Sequence, residues 1–360
     1  MRIVFLLILM LMAACTEHPA GVHYAPVDFA DLPGWERDDP GTAGIVLEHT
    51  CAKLGVHAGW DEACRDRPHD PAGLRAAIEN RFRPWRIFDG GKDDGLFTGY
   101  YEAVLRAART RQGRYQTPVY GVPPDLAVAD LGLFKPELRG QRITGRVENN
   151  RFMPYPGRAA ITEAADFKAP VLLWADDPVD VFFLQVQGSG RALLDDGAEL
   201  RLAYAAQNGR PYTAIGRVLK EQGLLTEDKV TMASIRAWLR DHPGEQDSIM
   251  NSNASYVFFQ INNGSGPVGA AGLPLTPERS LAVDPKFILL GAPVWIDCGH
   301  PEGGQMQRLM IAEDTGGAIK GPIRGDVFWG YGARAEALAG SMQSRGRIYL
   351  LLPHGVTPGG

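Results

Sequence analysis

Two aspartates near the C-terminus carry the strongest chemical signal in the chain. They lie in Ala312-Glu313-Asp314-Thr315-Gly316-Gly317-Ala318-Ile319-Lys320-Gly321-Pro322-Ile323-Arg324-Gly325-Asp326-Val327-Phe328-Trp329-Gly330. Asp314 follows an apolar, strand-like run, a glycine pair permits a tight turn, and Asp326 opens a second apolar run. Glycine lets backbone approach closely, and a strand holds a side chain still. Aspartate before a glycine turn is also a common turn former through its own backbone hydrogen bonds, so Asp314 alone fits either a turn or a catalytic role. Asp326 differs. It heads Val327-Phe328-Trp329, and apolar neighbours disfavour a charged carboxylate and raise its pKa. A raised carboxyl pKa is what a general acid near neutral pH requires.

Two further segments mix aromatics with hydroxyl or amide groups beside glycine. One is Phe97-Thr98-Gly99-Tyr100-Tyr101. The other runs from Asp180 through Gln185-Val186-Gln187-Gly188-Ser189-Gly190-Arg191. A sugar presents a flat apolar face and a rim of hydroxyls, so it wants this mixture; a packed strand with a polar cap has the same composition. Gly188-Ser189-Gly190 lacks the G-x-S-x-G spacing of a nucleophile elbow. The chain has no CxxC pair and no HExxH, and its eight histidines are scattered. Neither a metal nor a cofactor is expected.

The elements that must position these residues follow from periodicity. Leu74, Ile78 and Phe82 recur every fourth residue, which predicts a helix over 71–88. Helices are also expected over about 212–221, over 231–240, where Ile235, Trp238 and Leu239 share a face, and over 333–342. Strands are expected at 96–105, 117–122, 171–174, 179–187, 256–259, 281–283, 294–296, 309–312, 327–329 and 348–352. Residues 16–70 show no long apolar period and read as an irregular wrap and tether.

Composition fits this picture. The chain has 360 residues, 45% of them hydrophobic and 22% charged, enough for a core without staples. Its 43 glycines and 26 prolines favour a turn-rich β fold over a helical bundle. The net charge of -5 and the lack of a basic run argue against a nucleic-acid partner. Arg2 and the apolar run from Ile3 to Met12 form a targeting segment too short to span a bilayer. Met12-Ala13-Ala14-Cys15 resembles a bacterial lipobox, with methionine where leucine is usual. That resemblance implies lipidation at Cys15, and Thr16 in place of aspartate implies retention at the outer membrane. Cleavage after Ala14 by an ordinary signal peptidase, with Cys15 incidental, is the other reading. In an oxidising compartment Cys51 and Cys64 are the candidate pair, with Cys298 left alone; three inert thiols remain the alternative.

Taken together the segments resemble the membrane-bound lytic murein transglycosylase A family. The residues that carry the resemblance are FTGYYE (97–102), TRQGRYQTPVY (110–120), QVQGSGR (185–191), NGRPYTAIGRVL (208–219), SYVFF (255–259), AVDPKFILLG (282–291) and DTGGAIKG…GDVFWG (314–330). They occur in the family's order over about residues 95–353. The C-terminal part resembles the three-aspartate module, with Asp284, Asp314 and Asp326 at the matching positions. Residues 121–170 match poorly apart from Tyr155, Arg158 and Ile161, and residues 16–94 match no motif.

The resemblance implies a mainly β fold: a double-psi β-barrel with an inserted second β-domain and a few short helices. It divides the chain into a lipoprotein signal peptide (1–15), an N-terminal segment with the first part of the barrel (16–102), the insert (103–262) and the C-terminal part of the barrel (263–355). It implies a lytic transglycosylase, a carbon–oxygen lyase on peptidoglycan glycan strands. Such enzymes cleave the β-1,4 bond between N-acetylmuramic acid and N-acetylglucosamine and leave 1,6-anhydromuramic ends. Asp326 maps onto the acid/base and Asp314 onto a neighbouring aspartate of the same site. Thr98 maps onto a groove residue that contacts sugar, and Gly99, Tyr100, Gln187, Ser189 and Gly190 join it as expected substrate contacts. The implied setting is an outer-membrane lipoprotein facing the periplasm, with a cell-wall complex as a candidate partner. Two rival chemistries are compatible with the residues: a hydrolase using Asp314 and Asp326 as a carboxylate pair, and an aspartic protease built on Asp314-Thr315-Gly316.

Overall fold

The computed structural model describes residues 21–39, 43–65, 68, 70–226, 230–262, 264 and 266–358. The targeting segment and Cys15 lie outside the described residues. The chain opens with strand β1 (Val22–Pro26), helices α1 (Ala43–Leu54) and α2 (Pro71–Arg81), and strands β2 (Phe82–Asp89) and β3 (Gly95–Ala108). The middle holds β4 (Thr117–Tyr120), β5 (Ala127–Asp130), β6 (Arg142–Glu148), β7 (Arg151–Pro154), α3 (Arg158–Thr162), β8 (Val171–Ala175), α4 (Pro178–Gln187), β9 (Ser189–Leu194) and β10 (Glu199–Gln207). Helices α5 (Ile215–Glu221), α6 (Met232–Asp241) and α7 (Gln246–Asn251) then lead to β11 (Val257–Asn262). The last part comprises β12 (Ser280–Ala282), β13 (Pro293–Gly299), β14 (Gln305–Asp314), β15 (Arg324–Tyr331), α8 (Ala333–Ser341) and β16 (Gln343–Pro353).

The strands build two rings that share β3. In the first, β16, β13, β14, β12, β15 and β3 pair in that order, and β3 pairs back onto β16. The β12–β14 and β15–β3 pairs are parallel and the others antiparallel. Closure removes the sheet edges that would otherwise need protection. This mainly β ring is consistent with the expected double-psi barrel. In the second, the far half of β3 pairs with β9 and β8, β9 continues through β10 to β11, and β8 pairs with β4. The single bridge Gly121–Phe259 brings β4 back to β11. Strands β5, β6 and β7 form a small separate sheet.

Alternation along the strands supplies the core. Phe97, Leu281, Val294, Ile296, Leu309, Ile311 and Val327 are buried in one cluster that runs on into Leu105, Ala192 and Leu202 of the second ring. The strands expected from sequence at 96–105, 117–122, 171–174, 256–259, 281–283, 294–296, 309–312, 327–329 and 348–352 each coincide with a strand of the fold.

Three expectations are corrected. Residues 179–187 form helix α4 rather than a strand. Asp177 caps it by accepting from Val179 N, Pro178 takes the first turn, and Gly188 ends it at φ 81 with its N–H on Leu184 O. Val179, Val181, Phe182, Phe183, Leu184 and Gln185 are all buried. A helix buried on every side has no amphipathic period and reads like a buried strand. The cap signals, proline inside the start and glycine past the end, were the discriminating ones. The helix expected over 71–88 stops at Arg81, and Phe82–Asp89 becomes β2. Arg83 precedes Pro84, which pushes it out of the α region, and β2 gains pairing with both β1 and β16. Residues 16–70 are not merely irregular: they contain β1 and α1, and Asp38 is locked into the barrel. Its carboxylate takes both arms of Arg279 at 2.7 and 2.8 Å and the Leu309 N–H at 2.9 Å. Cys51 and Cys64 form a disulfide with their Cα atoms 5.4 Å apart, and Cys298 is a free, buried thiol.

Candidate active site

Register across four adjacent strands places the key residues in one row. Ala282 of β12 pairs with Asp314 of β14 on one side and with Asp326 of β15 on the other. Asp326 in turn pairs with Thr98 of β3. The two aspartates therefore stand two strands apart, about 10 Å between backbones. Asp326 is partly exposed and shares its strand with the buried Val327 and Phe328.

Its hydrogen bonds fix the direction of each proton. Arg324 is two residues before Asp326, so it projects from the same face of β15. One of its terminal nitrogens donates to Thr98 Oγ1 at 2.8 Å. With that lone pair occupied by a donor, the Thr98 hydroxyl turns its own hydrogen to Asp326 Oδ1, 2.5 Å away. The Arg324 guanidinium is held by the Leu96 and Gly325 carbonyls. Desolvation raises the Asp326 pKa to about 6, with the Thr98 hydroxyl and the Arg324 charge opposing the rise and the Asp314 charge adding to it. Asp326 thus meets neutral pH partly protonated, as a general acid should.

Asp314 sits in a different environment. Its Oδ1 accepts the Ala270 N–H at 3.0 Å and the Thr315 N–H at 2.9 Å, and its Oδ2 accepts the Tyr100 hydroxyl at 3.0 Å. Burial pushes its pKa up, and these three donors pull it back. A carboxylate already holding three hydrogen bonds is poorly placed to attack or to release a proton. On the opposite face of β14, Glu313 has its side chain fully buried. Glu313 accepts from Ser280 Oγ and lies 2.5 Å from His49 Nδ1 of α1. Burial raises the Glu313 pKa. Asp284, the third aspartate of the module, is buried and accepts the Gly321 and Lys286 N–H groups. It ties down the loop between the other two.

The structure brings Thr98, Tyr100, Asp314 and Asp326 together, and it places the other expected contacts differently. Tyr100 is buried between Phe328, Leu275 and Ile319 and reaches the site only through its hydroxyl. Gly99 faces away: a Cβ there would meet Trp329 at 2.5 Å and Ala339 of α8 at 2.8 Å. Gly190 lets β9 pack on Leu184 and Ala103, which a Cβ would approach to 2.3 and 2.7 Å. Gln187 accepts the Tyr101 N–H and so pins the end of α4 to β3. Ser189 is buried at the start of β9.

Two residues of the site carried no role in the sequence reading. Arg324 was detectable by its i, i+2 spacing to Asp326. Tyr212 comes from the inserted part, is 38% exposed and lies over the loop between the aspartates, its Cβ 3.9 Å from where a Cβ on Gly317 would stand. Burial and the nearby Asp326 charge raise its pKa. Among the described residues no group of three or more His, Cys, Asp or Glu side chains is arranged to hold a metal ion.

Comparison with known proteins agrees with this architecture. Residues 96–260 match the model of the MltA specific insert domain, and residues 279–352 match that of the 3D domain. Membrane-bound lytic murein transglycosylase A of Escherichia coli K12 is 33% identical over 263 residues, covering 71% of this chain; the chain spans 65% of that relative's length. A crystal structure of MltA from Neisseria gonorrhoeae superposes with a TM-score of 0.81 at 35% identity, covering 95% of this chain and 97% of that one. The E. coli MltA structure with bound chitohexaose gives 0.66 at 25% identity, covering 94% and 95%. The chain belongs to the membrane-bound lytic murein transglycosylase A family.

Proposed function

We propose that this protein is a lytic transglycosylase that cleaves peptidoglycan between N-acetylmuramic acid and N-acetylglucosamine, with Asp326 as its single acid/base. The observation that carries this reading is a single half-buried carboxylate, Asp326, bound by side chains at one oxygen only, by Thr98, and in register with an aspartate that already accepts three hydrogen bonds; its burial pushes the Asp326 pKa up to about 6. Asp326 protonates the glycosidic oxygen, and the bond from that oxygen to the muramyl anomeric carbon breaks. The C6 hydroxyl of the same muramyl residue attacks the anomeric carbon and closes the 1,6-anhydro ring. Its proton passes to the Asp326 carboxylate, which restores the acid. An intramolecular hydroxyl has a high effective molarity, so the protein needs no second carboxylate as nucleophile. Thr98 supplies a hydrogen bond to the carboxylate in the half of the cycle when it is charged. Asp314 holds the 270 and 315 backbone and Tyr100 in place. The chitohexaose bound to the related E. coli structure supports a β-1,4-linked amino-sugar ligand.

The division into a 16–102 segment, a 103–262 insert and a 263–355 barrel part belongs to the same proposal, as do lipidation at Cys15 and an outer-membrane, periplasm-facing location. The relatives' description as membrane-bound supports the last. Mass spectrometry of products from purified sacculi tests the reaction. Anhydromuropeptides are expected, lighter by one water than reducing ends, and Asp326→Asn should lose about 10²–10⁴-fold in rate. Reducing ends would mean a two-carboxylate hydrolase, and release of peptides without sugar cleavage would mean a protease.

A further inference from the structure

Arg158 opens α3 in the inserted part and is 4% exposed. Its Nε donates to the Asn253 carbonyl at 3.0 Å, and its terminal nitrogens donate to Gln185 Oε1 at 2.5 Å and the Ser255 carbonyl at 2.7 Å. A guanidinium carries five N–H donors, so two remain without a protein acceptor. No carboxylate among the described residues pairs with it. The rings of Phe182 and Tyr256 cover its faces at 4.6 and 5.1 Å, which leaves only an edge free. Burial lowers the Arg158 pKa to about 10, so the cation is held at a cost. A buried charge ordinarily has a counter-charge.

Arg158 lines a cavity of about 260 Å³. Phe182 and Tyr256 form its apolar wall, and Thr162 and Asn251 add a hydroxyl and an amide. Glu163 and Asp247 line the same cavity and are exposed, which puts negative charge at the mouth. Asn251 Nδ2 donates to Glu163 at 3.3 Å. A simple anion would be drawn to Arg158 but repelled by the mouth. The charge pattern fits a ligand with an anion at its inner end and a cation beside it.

We propose that this cavity binds an amino-acid head group whose α-carboxylate and α-ammonium are both free, the carboxylate on Arg158 and the ammonium between Glu163 and Asp247. Peptide stems on muramic acid can carry such head groups, and so can free amino acids. Location favours the stem: Tyr212 lies over the loop between the aspartates, and the next residue, Thr213, donates its N–H to Asn253 Oδ1 at 3.0 Å, the same Asn253 whose carbonyl accepts from Arg158. The choice of stem over free amino acid rests on the proposed function; the ligand chemistry does not.

Isothermal titration of the folded protein tests the assignment, with meso-diaminopimelate as probe and pimelate, which lacks both ammonium groups, as control. Saturable binding of the first only is expected, weakened at least tenfold by the double substitution Glu163→Gln with Asp247→Asn. Both residues are exposed, so this variant keeps the test valid even where Arg158→Lys fails to fold. Absent binding, equal binding of pimelate, or unchanged affinity in the double variant overturns the proposal. Cleavage of stem-bearing and amidase-stripped glycan strands separates the two sources. The stem reading expects a lower KM for stem-bearing strands with similar kcat, and loss of that difference in the double variant. Equal KM values overturn the stem as ligand. Binding of meso-diaminopimelate by a protein that cleaves no glycan would support the cavity and refute the proposed function.

Discussion

Replacing Asp326 by asparagine removes a charge and nearly preserves shape, because the amide oxygen can still accept from Thr98. The carboxyl pKa is raised from 3.8 to about 6. Asp326 therefore favours the fold while protonated, fully so below the ordinary carboxyl value, and that advantage is lost as pH rises through the folded value. A tenfold change in proton affinity corresponds to about 1.4 kcal/mol, so the ionised side chain costs roughly 3 kcal/mol above pH 6. Asparagine carries no such cost. Asp326→Asn should match the wild type in stability near pH 4 and exceed it by up to about 3 kcal/mol at pH 7.5, a rise in Tm on the order of 5 °C. Calorimetry at pH 4, 5, 6 and 7.5, beside turbidity loss of sacculi at the same values, reads both stability and activity. A stability gap that does not grow between pH 4 and 7, or a variant less stable than wild type at pH 7.5, would refute the assignment of a desolvated acid. Wild-type activity should fall as pH rises above about 6, where the acid form disappears.

Thr98→Val removes the donor that stabilises the Asp326 carboxylate. A hydrogen bond to a charged group contributes about 1.5–3 kcal/mol, so the alkaline limb of the rate profile should move up by about one to two pH units while the maximal rate drops; an unmoved limb would show that Thr98 does not act on Asp326. Asp38→Ala leaves the buried Arg279 unpaired and should destabilise the barrel by about 3–5 kcal/mol, seen as a lower urea midpoint. The Cys51→Ser, Cys64→Ser double variant opens a loop of sequence separation 13 and should lose about 3 kcal/mol in thermal unfolding. Its activity on sacculi at 25 °C should be retained, since neither cysteine touches the site.

The candidate catalytic pair was legible in the sequence for a physical reason. Asp314 and Asp326 sit near glycines at the ends of strong apolar runs, and those runs form strands β14 and β15. Element boundaries were less legible where burial is complete on all sides. Residues 179–187 carry β-branched and aromatic side chains in a helix, and because 181–185 are buried in succession the pattern showed no helical period. The irregular composition of 21–39 likewise concealed Asp38, whose role depends on Arg279, far along the chain.

By itself the sequence determined the strands that flank the site, the two aspartates and the glycine turn between them, because these depend on neighbours a few residues away. Only the tertiary structure decided how each aspartate is surrounded. That depends on contacts between segments distant in sequence: Thr98 and Arg324 leave Asp326 a raised pKa and one bound oxygen, whereas Ala270, Thr315 and Tyr100 occupy Asp314. Gly99 and Gly190 read as sugar contacts by composition and became packing positions once α8 and α4 closed over them. Arg158, one matching residue in a poorly matching stretch, acquired an unpaired charge and a cavity only when α3, α4 and α7 folded around it. Desolvation and hydrogen-bond saturation are properties of a place, and a place exists only after the strands have closed.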